Sequence, residues 1–206
     1  GAGVAGLQAV ATARRLGAVV EVSDVRAAVK EQVESLGGRF IDLPQMESAE
    51  GTGGYAKQVS EDFLKKQREI IAQRVAAADA VITTALVPGR PAPRLVTAEM
   101  VRAMRPGSVI VDLAAEQGGN CELSRPDEEV VENGVTILAP TNLPATLPSD
   151  ASTLYAKNVL SLLLLVAKGG EIKVDLQDEV VAGTLLTHAG QVHHAPTAEL
   201  LAAPVG

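Results

Sequence analysis

The chain begins "GAGVAG", which spaces glycines at 1, 3 and 6 as G-x-G-x-x-G. Each glycine has its own reason to be there. Gly1 permits a tight turn, Gly3 lets the backbone approach a bulky anion, and Gly6 lets the following helix pack close to a sheet. The first turn of that helix offers N–H groups and a partial positive charge, which suit a pyrophosphate. Asp24 closes the run "AVVEVSD", near the ~20-residue spacing at which an acid meets a ribose. Its carboxylate would accept hydrogen bonds from both ribose hydroxyls and repel a 2′-phosphate, which selects NAD(H) over NADP(H). A glycine turn alone is a weak signal. The small residues Ala5, Ala9 and Ala13 on the helix, the strand that follows and the acid at its end strengthen it.

Other chemistry is sparse. His188, His193 and His194 all lie toward the C-terminus, with no cysteine or carboxylate cluster beside them, so the "HH" pair reads as surface rather than metal site. Glu116 is the one carboxylate on a loop expected at the cofactor side, and its role stays open between acid/base, amide partner and solvated side chain. No Ser–His–Asp or Cys–His arrangement stands out, so no catalytic residue and no metal ligand is assigned.

The elements that must position these residues follow from the pattern. Val4 to Leu16 suits a helix and Ala18 to Ser23 a strand. A second helix runs from Val25 to Leu36, stopped by Gly37-Gly38, with "RFID" as a short strand. "PQMESAEGTGGY" is a long polar segment of the kind that forms a lid or a surface insertion. A charged helix over Val59 to Ala77 precedes the strand "DAVITTA". Thr97 can cap a helix through Met104. "PGSVIVDLA" and "GVTILAP" read as further strands, and "TNLPATLPSD" leads into a helix from Ala151 to Ala167. The alternation predicts an α/β fold, a Rossmann-type doubly wound parallel sheet over residues 1–150 whose first strand is expected upstream of Gly1. The connecting helix occupies 151–168. "EIKVDL", "EVVAGTLLT" and "GQVHH" predict a strand-rich segment over 169–194, and 195–206 reads as a tail or linker.

In such a sheet ligands bind beyond the carboxyl ends of the strands. The loops there are "DVR", "TALVPG", "AAEQGGN" and "TNLP". Leu86 is expected to flank the adenine or ribose, with Asn142 and the Gly118-Gly119 backbone near the nicotinamide end.

Composition narrows the class. Hydrophobic residues make up 47% and aromatics 2%, with no Trp, so the core must be aliphatic, as suits strands buried on both faces. A net charge of −7 argues against nucleic acid as a partner. The lone Cys121 excludes an intrachain disulfide and fits a reducing compartment. The apolar run "VLSLLLLVAK" is too short to span a bilayer and predicts a buried or interface helix.

Taken together, "GAGVAGLQA", "SDVRAA", "EQVESLGG", "GTGGYAK", "ITTALVPG", "MRPGSVIVDLAAEQGGNCE" and "TNLP…ASTLYAKN" resemble the NAD(H)-binding component, domain I in the alpha subunit, of the proton-translocating transhydrogenases. The related alanine dehydrogenases share several of these segments. The resemblance runs from Gly1 to about His194. It implies a two-domain component of which this chain carries the second domain and the segment that returns to an N-terminal domain. By motif it places Ala2, Gly3 and Val4 at the pyrophosphate, Asp24, Val25 and Arg26 at the ribose, and Leu86 near the adenosine. Ala49, Gly54 and Tyr55 fall in a segment that looks like the family's mobile loop, with Gln67 on the following helix as a further contact.

The resemblance implies Re/Si-specific hydride transfer between NADH and NADP+, coupled to proton translocation. It implies an NADP(H)-binding component and a membrane component as partners, a homodimer, and a peripheral cytoplasmic location without insertion in the membrane. Transfer between two nicotinamide rings needs positioning rather than an acid or base. An alanine-dehydrogenase-like oxidoreductase is the alternative, although that family carries Asp where this chain has Glu116. A non-catalytic NAD-binding module is a further one.

Overall fold

The computed structural model describes residues 1–43, 55–87 and 90–202. Small residues let the first helix, α1 (Val4–Arg15), pack by one face, with Gly6 and Val10 buried. Strand β1 (Glu21–Val22) follows, then a 3₁₀ turn at Ala27–Val29 running into α2 (Lys30–Ser35). Gly37, at φ 80°, stops that helix in a conformation that favours glycine. The chain then enters β2 (Arg39–Phe40), which pairs parallel with β1. Ala2, Val10, Val22, Val29 and Val33 form an aliphatic core beneath these elements.

The long helix α3 (Tyr55–Ala77) leads into β3 (Ala80–Thr83). The Thr97 hydroxyl accepts from the Met100 N–H at 3.3 Å and caps α4 (Ala98–Arg102). Strands β4 (Val109–Asp112), β5 (Glu129–Glu132) and β6 (Val135–Leu138) complete a sheet of order β3-β4-β6-β5. β3, β4 and β6 run parallel, and β5 joins β6 antiparallel at the edge. Ile110 on β4 is in register with Val81 and Ile137, and packs with Val75, Val96, Val101, Met104 and Val135.

The expected doubly wound parallel array is present, in two hydrogen-bonded pieces. The glycine turn is tied to both. Ala2 N–H donates to Asp24, just beyond β1, and the Thr84 hydroxyl, just beyond β3, donates to the Gly1 carbonyl.

The chain divides into two units, Gly1–Thr141 and Asn142–Gly206. In the second, a 3₁₀ turn (Leu143–Thr146) precedes α5 (Pro148–Val166). Two-residue hairpins follow: β7 (Ala167–Lys168) with β8 (Glu171–Ile172), and β9 (Thr187–His188) with β10 (Gln191–Val192). Both turn on residues of positive φ, Gly169-Gly170 and Ala189-Gly190, whose twist matches the strands.

Three local expectations change. "EVVAGTLLT", whose β-branched residues suggest a strand, contains the helix α6 (Glu179–Thr184), because the Asp178 carboxylate accepts from the N–H groups of Val180 and Val181. The final stretch forms the helix α7 (Ala195–Ala202) rather than a tail. β5 is an addition to the expected strands. It is set by Asn133-Gly134, both at positive φ, which folds it back on β6.

Ile110 is fully buried on a strand paired on both sides. Ile110→Ala is therefore expected to lower the unfolding free energy by about 2–5 kcal/mol. Urea unfolding measures it, and an unchanged midpoint would contradict the central place given to β4.

Candidate functional site

The glycine turn meets its three requirements in different ways. A Cβ on Gly6 would fall on the Gly1 carbonyl oxygen, so only glycine lets the turn close over the helix start. A Cβ on Gly1 would come within 2.7 Å of Thr84 Oγ1. Gly3, by contrast, has nothing within 4 Å of that position and faces open space. No side chain caps α1 and no acid stands in its first turn, so the N–H groups of Gly3 and Val4 have no acceptor among the described residues. An open surface with two free N–H donors at a helix start fits a phosphate group. Val4 is 92% exposed beside it.

The Ala2 N–H is not available for that purpose, because it donates to Asp24 Oδ2 at 2.7 Å. Asp24 also receives the Arg26 N–H and Nε at 2.9 and 3.0 Å on Oδ1, and Arg26 Nη2 at 3.1 Å on Oδ2. Burial alone would raise the Asp24 carboxyl. The Arg26 guanidinium and the two backbone donors outweigh it and hold the group well below the usual carboxylate range. A carboxyl depressed in the folded state stabilises it above the usual carboxylate range, and the contribution is lost as pH falls through and below that range. Asp24 is therefore a full anion at neutral pH. Val25, beside it, is 89% exposed.

A second carboxylate supports the loops. Asp112, at the end of β4, is fully buried and accepts four hydrogen bonds. Thr83 Oγ1 and the Ala114 N–H reach Oδ1 at 2.9 and 3.0 Å, while the Cys121 N–H and Ser124 Oγ reach Oδ2 at 2.9 and 2.7 Å. Burial pushes its carboxyl up, and these donors more than offset it, leaving it below its ordinary value. Gly119, at φ 81°, passes so close that a Cβ would lie 2.8 Å from Asp112 Oδ2.

Beside Cys121, the buried Asn120 amide accepts from the Ala85 N–H at 2.9 Å and donates to the carbonyls of Ala85 and Pro93 at 2.9 and 2.8 Å. It fixes the loop carrying Leu86, whose side chain is half exposed.

The structure thus gathers Gly1, Ala2, Gly3, Val4 and Gly6 with Asp24, Val25 and Arg26, and ties the turn to Thr84, two residues before Leu86. Ala49 and Gly54 lie outside the described residues. Tyr55 starts α3, and Gln67 is half-buried further along that helix. Asn142 belongs to the second unit, where it precedes the 3₁₀ turn. Glu116 is exposed on the turn Ala115–Gln117.

His188 and His193 have ring centroids 6.1 Å apart. Among the described residues no three His, Cys, Asp or Glu side chains are placed to hold a metal, and no helix is long and apolar enough to cross a membrane.

Sequence reasoning missed Asp112, Asn120 and the Asp24–Arg26 pair. For Asp112 a signal existed, a lone acid ending the apolar run "SVIVD". Asn120 carried none.

With this geometry in view, comparison with known proteins is decisive. The family described as "Alanine dehydrogenase/PNT, C-terminal domain" matches residues 1–195. The chain belongs to that family.

Among its relatives, an NAD(P) transhydrogenase alpha-subunit protein of Rhodospirillum rubrum is 56% identical over 198 residues, 94% of this chain and 52% of that protein. An alanine dehydrogenase of Bacillus subtilis is more distant, 32% identical over 96% of this chain and 48% of its own length. A solved transhydrogenase structure from Sinorhizobium meliloti superposes with a TM-score of 0.74 at 46% identity, covering 93% of this chain and 50% of that one. The chain spans about half the length of the relatives it matches. The family joins nicotinamide-nucleotide oxidoreductases on a Rossmann-like fold.

Two substitutions test the geometry. Gly6→Ala should disrupt the turn, because its methyl meets backbone rather than a movable side chain. Amide exchange at Leu7, whose N–H donates to the Gly3 carbonyl at 2.9 Å, should speed up, and unchanged protection there would contradict it. Asp112→Asn turns an NH₂ toward N–H or O–H donors and should lower stability by at least about 1–3 kcal/mol in thermal or urea unfolding.

Proposed function

We propose that the chain is the NAD(H)-binding part of a proton-translocating transhydrogenase. The observation that carries this reading is the open helix start at Gly3 and Val4 beside an ionised Asp24. Gly3 and Val4 donate N–H groups to the pyrophosphate, with Gly1 and Gly6 shaping the turn and Ala2 bracing it against Asp24. Asp24 receives the ribose hydroxyls between Val25 and Arg26, and Leu86 covers the adenosine side. Ala49, Gly54, Tyr55, Gln67 and Asn142 complete the contacts.

The bound nicotinamide supplies the hydride that passes to NADP+. Everything these residues do is binding and orientation, which suffices for transfer between two rings brought face to face. The R. rubrum relative, named a transhydrogenase subunit alpha, supports the assignment. An NADP(H)-binding component, a membrane component and a second copy of the chain are the proposed partners, with the protein peripheral on the cytoplasmic side. Residues 169–194 are proposed to pack on a further domain.

Titration of the 206-residue chain with NADH and NADPH tests the reading. NADH should bind at least tenfold more tightly, and equal affinities would sink it. Oxidation of NADH by pyruvate and ammonia without any partner protein would instead support an alanine-dehydrogenase-like activity.

A further inference from the structure

The structure assigns Asn133 as a modification site, the position where this chain deamidates itself in water. The reaction needs no enzyme. The backbone nitrogen of the following residue gives up its proton and attacks the side-chain carbonyl carbon of the asparagine. The bond from that carbon to the amide nitrogen breaks, ammonia leaves, and a succinimide ring closes. Water then opens the ring at one of its two carbonyls. One opening yields aspartate, and the other yields isoaspartate, whose main chain runs through the former side chain. No electrons are exchanged, since an amide and water become a carboxylic acid and ammonia. Two conditions select the residue that reacts: the attacking nitrogen must be unbonded, and the residue carrying it must leave room for the ring.

The chain has four asparagines, at 120, 133, 142 and 158, and they meet these conditions unequally. Asn120 is buried with its amide held by Ala85 and Pro93, and the next N–H, that of Cys121, donates to Asp112 Oδ2 at 2.9 Å. Asn158 lies within α5, where the helix takes up the Val159 N–H and the branched side chain crowds it. Asn142 is exposed, but Leu143 follows it and its side chain obstructs ring closure. Asn133 is exposed and precedes Gly134, which has no side chain. The Gly134 N–H has no acceptor among the described residues.

The same two residues are the turn between β5 and β6, at φ 50° and 76°, with Glu132 opposite Val135. Asn133 Nδ2 donates to the Arg102 carbonyl at 3.1 Å, which ties the turn to the end of α4. The Gly134 carbonyl accepts the Gly107 N–H at 2.7 Å, which ties it to the entry of β4. Ring closure proceeds when the turn opens and the amide leaves Arg102. An aspartate at 133 then presents an acceptor to the Arg102 carbonyl in place of a donor, and the bond is lost. Isoaspartate adds a main-chain carbon to a turn that two residues close, and so displaces Gly134 from Gly107. Either product loosens the edge hairpin. The second also reaches the start of β4, whose far end carries Asp112.

The test incubates the 206-residue chain in warm, mildly alkaline buffer. Peptide mass spectrometry follows the exchange of NH₂ for OH at each asparagine, and enzymatic methylation detects isoaspartate. Exchange at Asn133 should run roughly tenfold or more faster than at Asn120, Asn142 or Asn158, with isoaspartate in the same peptide. Asn133→Gln, which would have to close a larger ring, should block both, and thermal melting checks its fold. Asn133→Asp should melt below the unsubstituted chain, and the isoaspartate form below that.

Another asparagine reacting as fast as Asn133 would overturn the assignment. So would an Asn133 that stays intact in the folded chain while reacting in guanidinium, because the folded turn would then be closed to the chemistry. An aged chain that carries isoaspartate at 133 and melts like fresh protein would overturn the consequence drawn for the hairpin. None of these readings involves a nucleotide, so they stand apart from the proposed function.

Discussion

The strand ends that carry the proposed nucleotide loops depend on one buried anion, Asp112, that forms no ion pair among the described residues. Four hydrogen bonds from backbone and hydroxyl donors hold its charge. Those four come from β3, from Ala114 two residues after β4 and from two points on the loop beyond it. Removing any donor would leave a buried charge under-solvated, so the network specifies one arrangement of three segments. Asn120 follows directly, because its neighbour Cys121 is one of the donors. Through Asn120 the constraint passes to Ala85 and Pro93, and so to the loop bearing Leu86.

The two carboxylates divide the labour. Asp112 lies sealed in the interior and organises backbone. Asp24 lies just beyond β1 in the other hydrogen-bonded piece, braced by Ala2, with a half-exposed cation paired to it. Both are ionised, each for its own reason: a shell of neutral donors for Asp112, and an arginine fork with backbone N–H groups for Asp24. A sealed carboxylate is a structural member. A carboxylate with one removable partner can exchange that partner for a ligand.

How much of this is legible in the residues alone follows from where each constraint lives. The glycine turn and Asp24 are legible because the constraint is local and chemical. Only glycine fits at Gly6, and an acid at the end of the first strand has a definite task. The parallel strands "AVIT", "VIVD" and "VTIL" are legible as aliphatic runs, although β3 leaves Ala80 and Ile82 exposed. Asn120 is not, since its function exists only once two loops separated in sequence meet across it. The helix α6 is disguised because valines at 180 and 181 resemble a strand, and a single capping aspartate decides otherwise. Strand β5 is hidden because its Glu-Val-Val-Glu run is short and half charged, although the Asn133-Gly134 dipeptide that creates it is a strong hairpin signal. Ala49 and Gly54 lie outside the described residues, so their proposed place at a nucleotide rests on the motif alone.

On the proposed reading, the pairing of Arg26 with Asp24 also shapes how a nucleotide arrives. With its guanidinium neutralised in place, the described part of the turn presents no free cation, only the partial charge of a helix start. The chain as a whole carries −7, and a dinucleotide is itself an anion. Encounter is therefore not drawn in by long-range attraction but works against a weak repulsion. Added salt screens that repulsion and quickens association, the reverse of what a basic nucleotide pocket would show. Capture, on that reading, is governed by shape and short-range hydrogen bonding once contact is made.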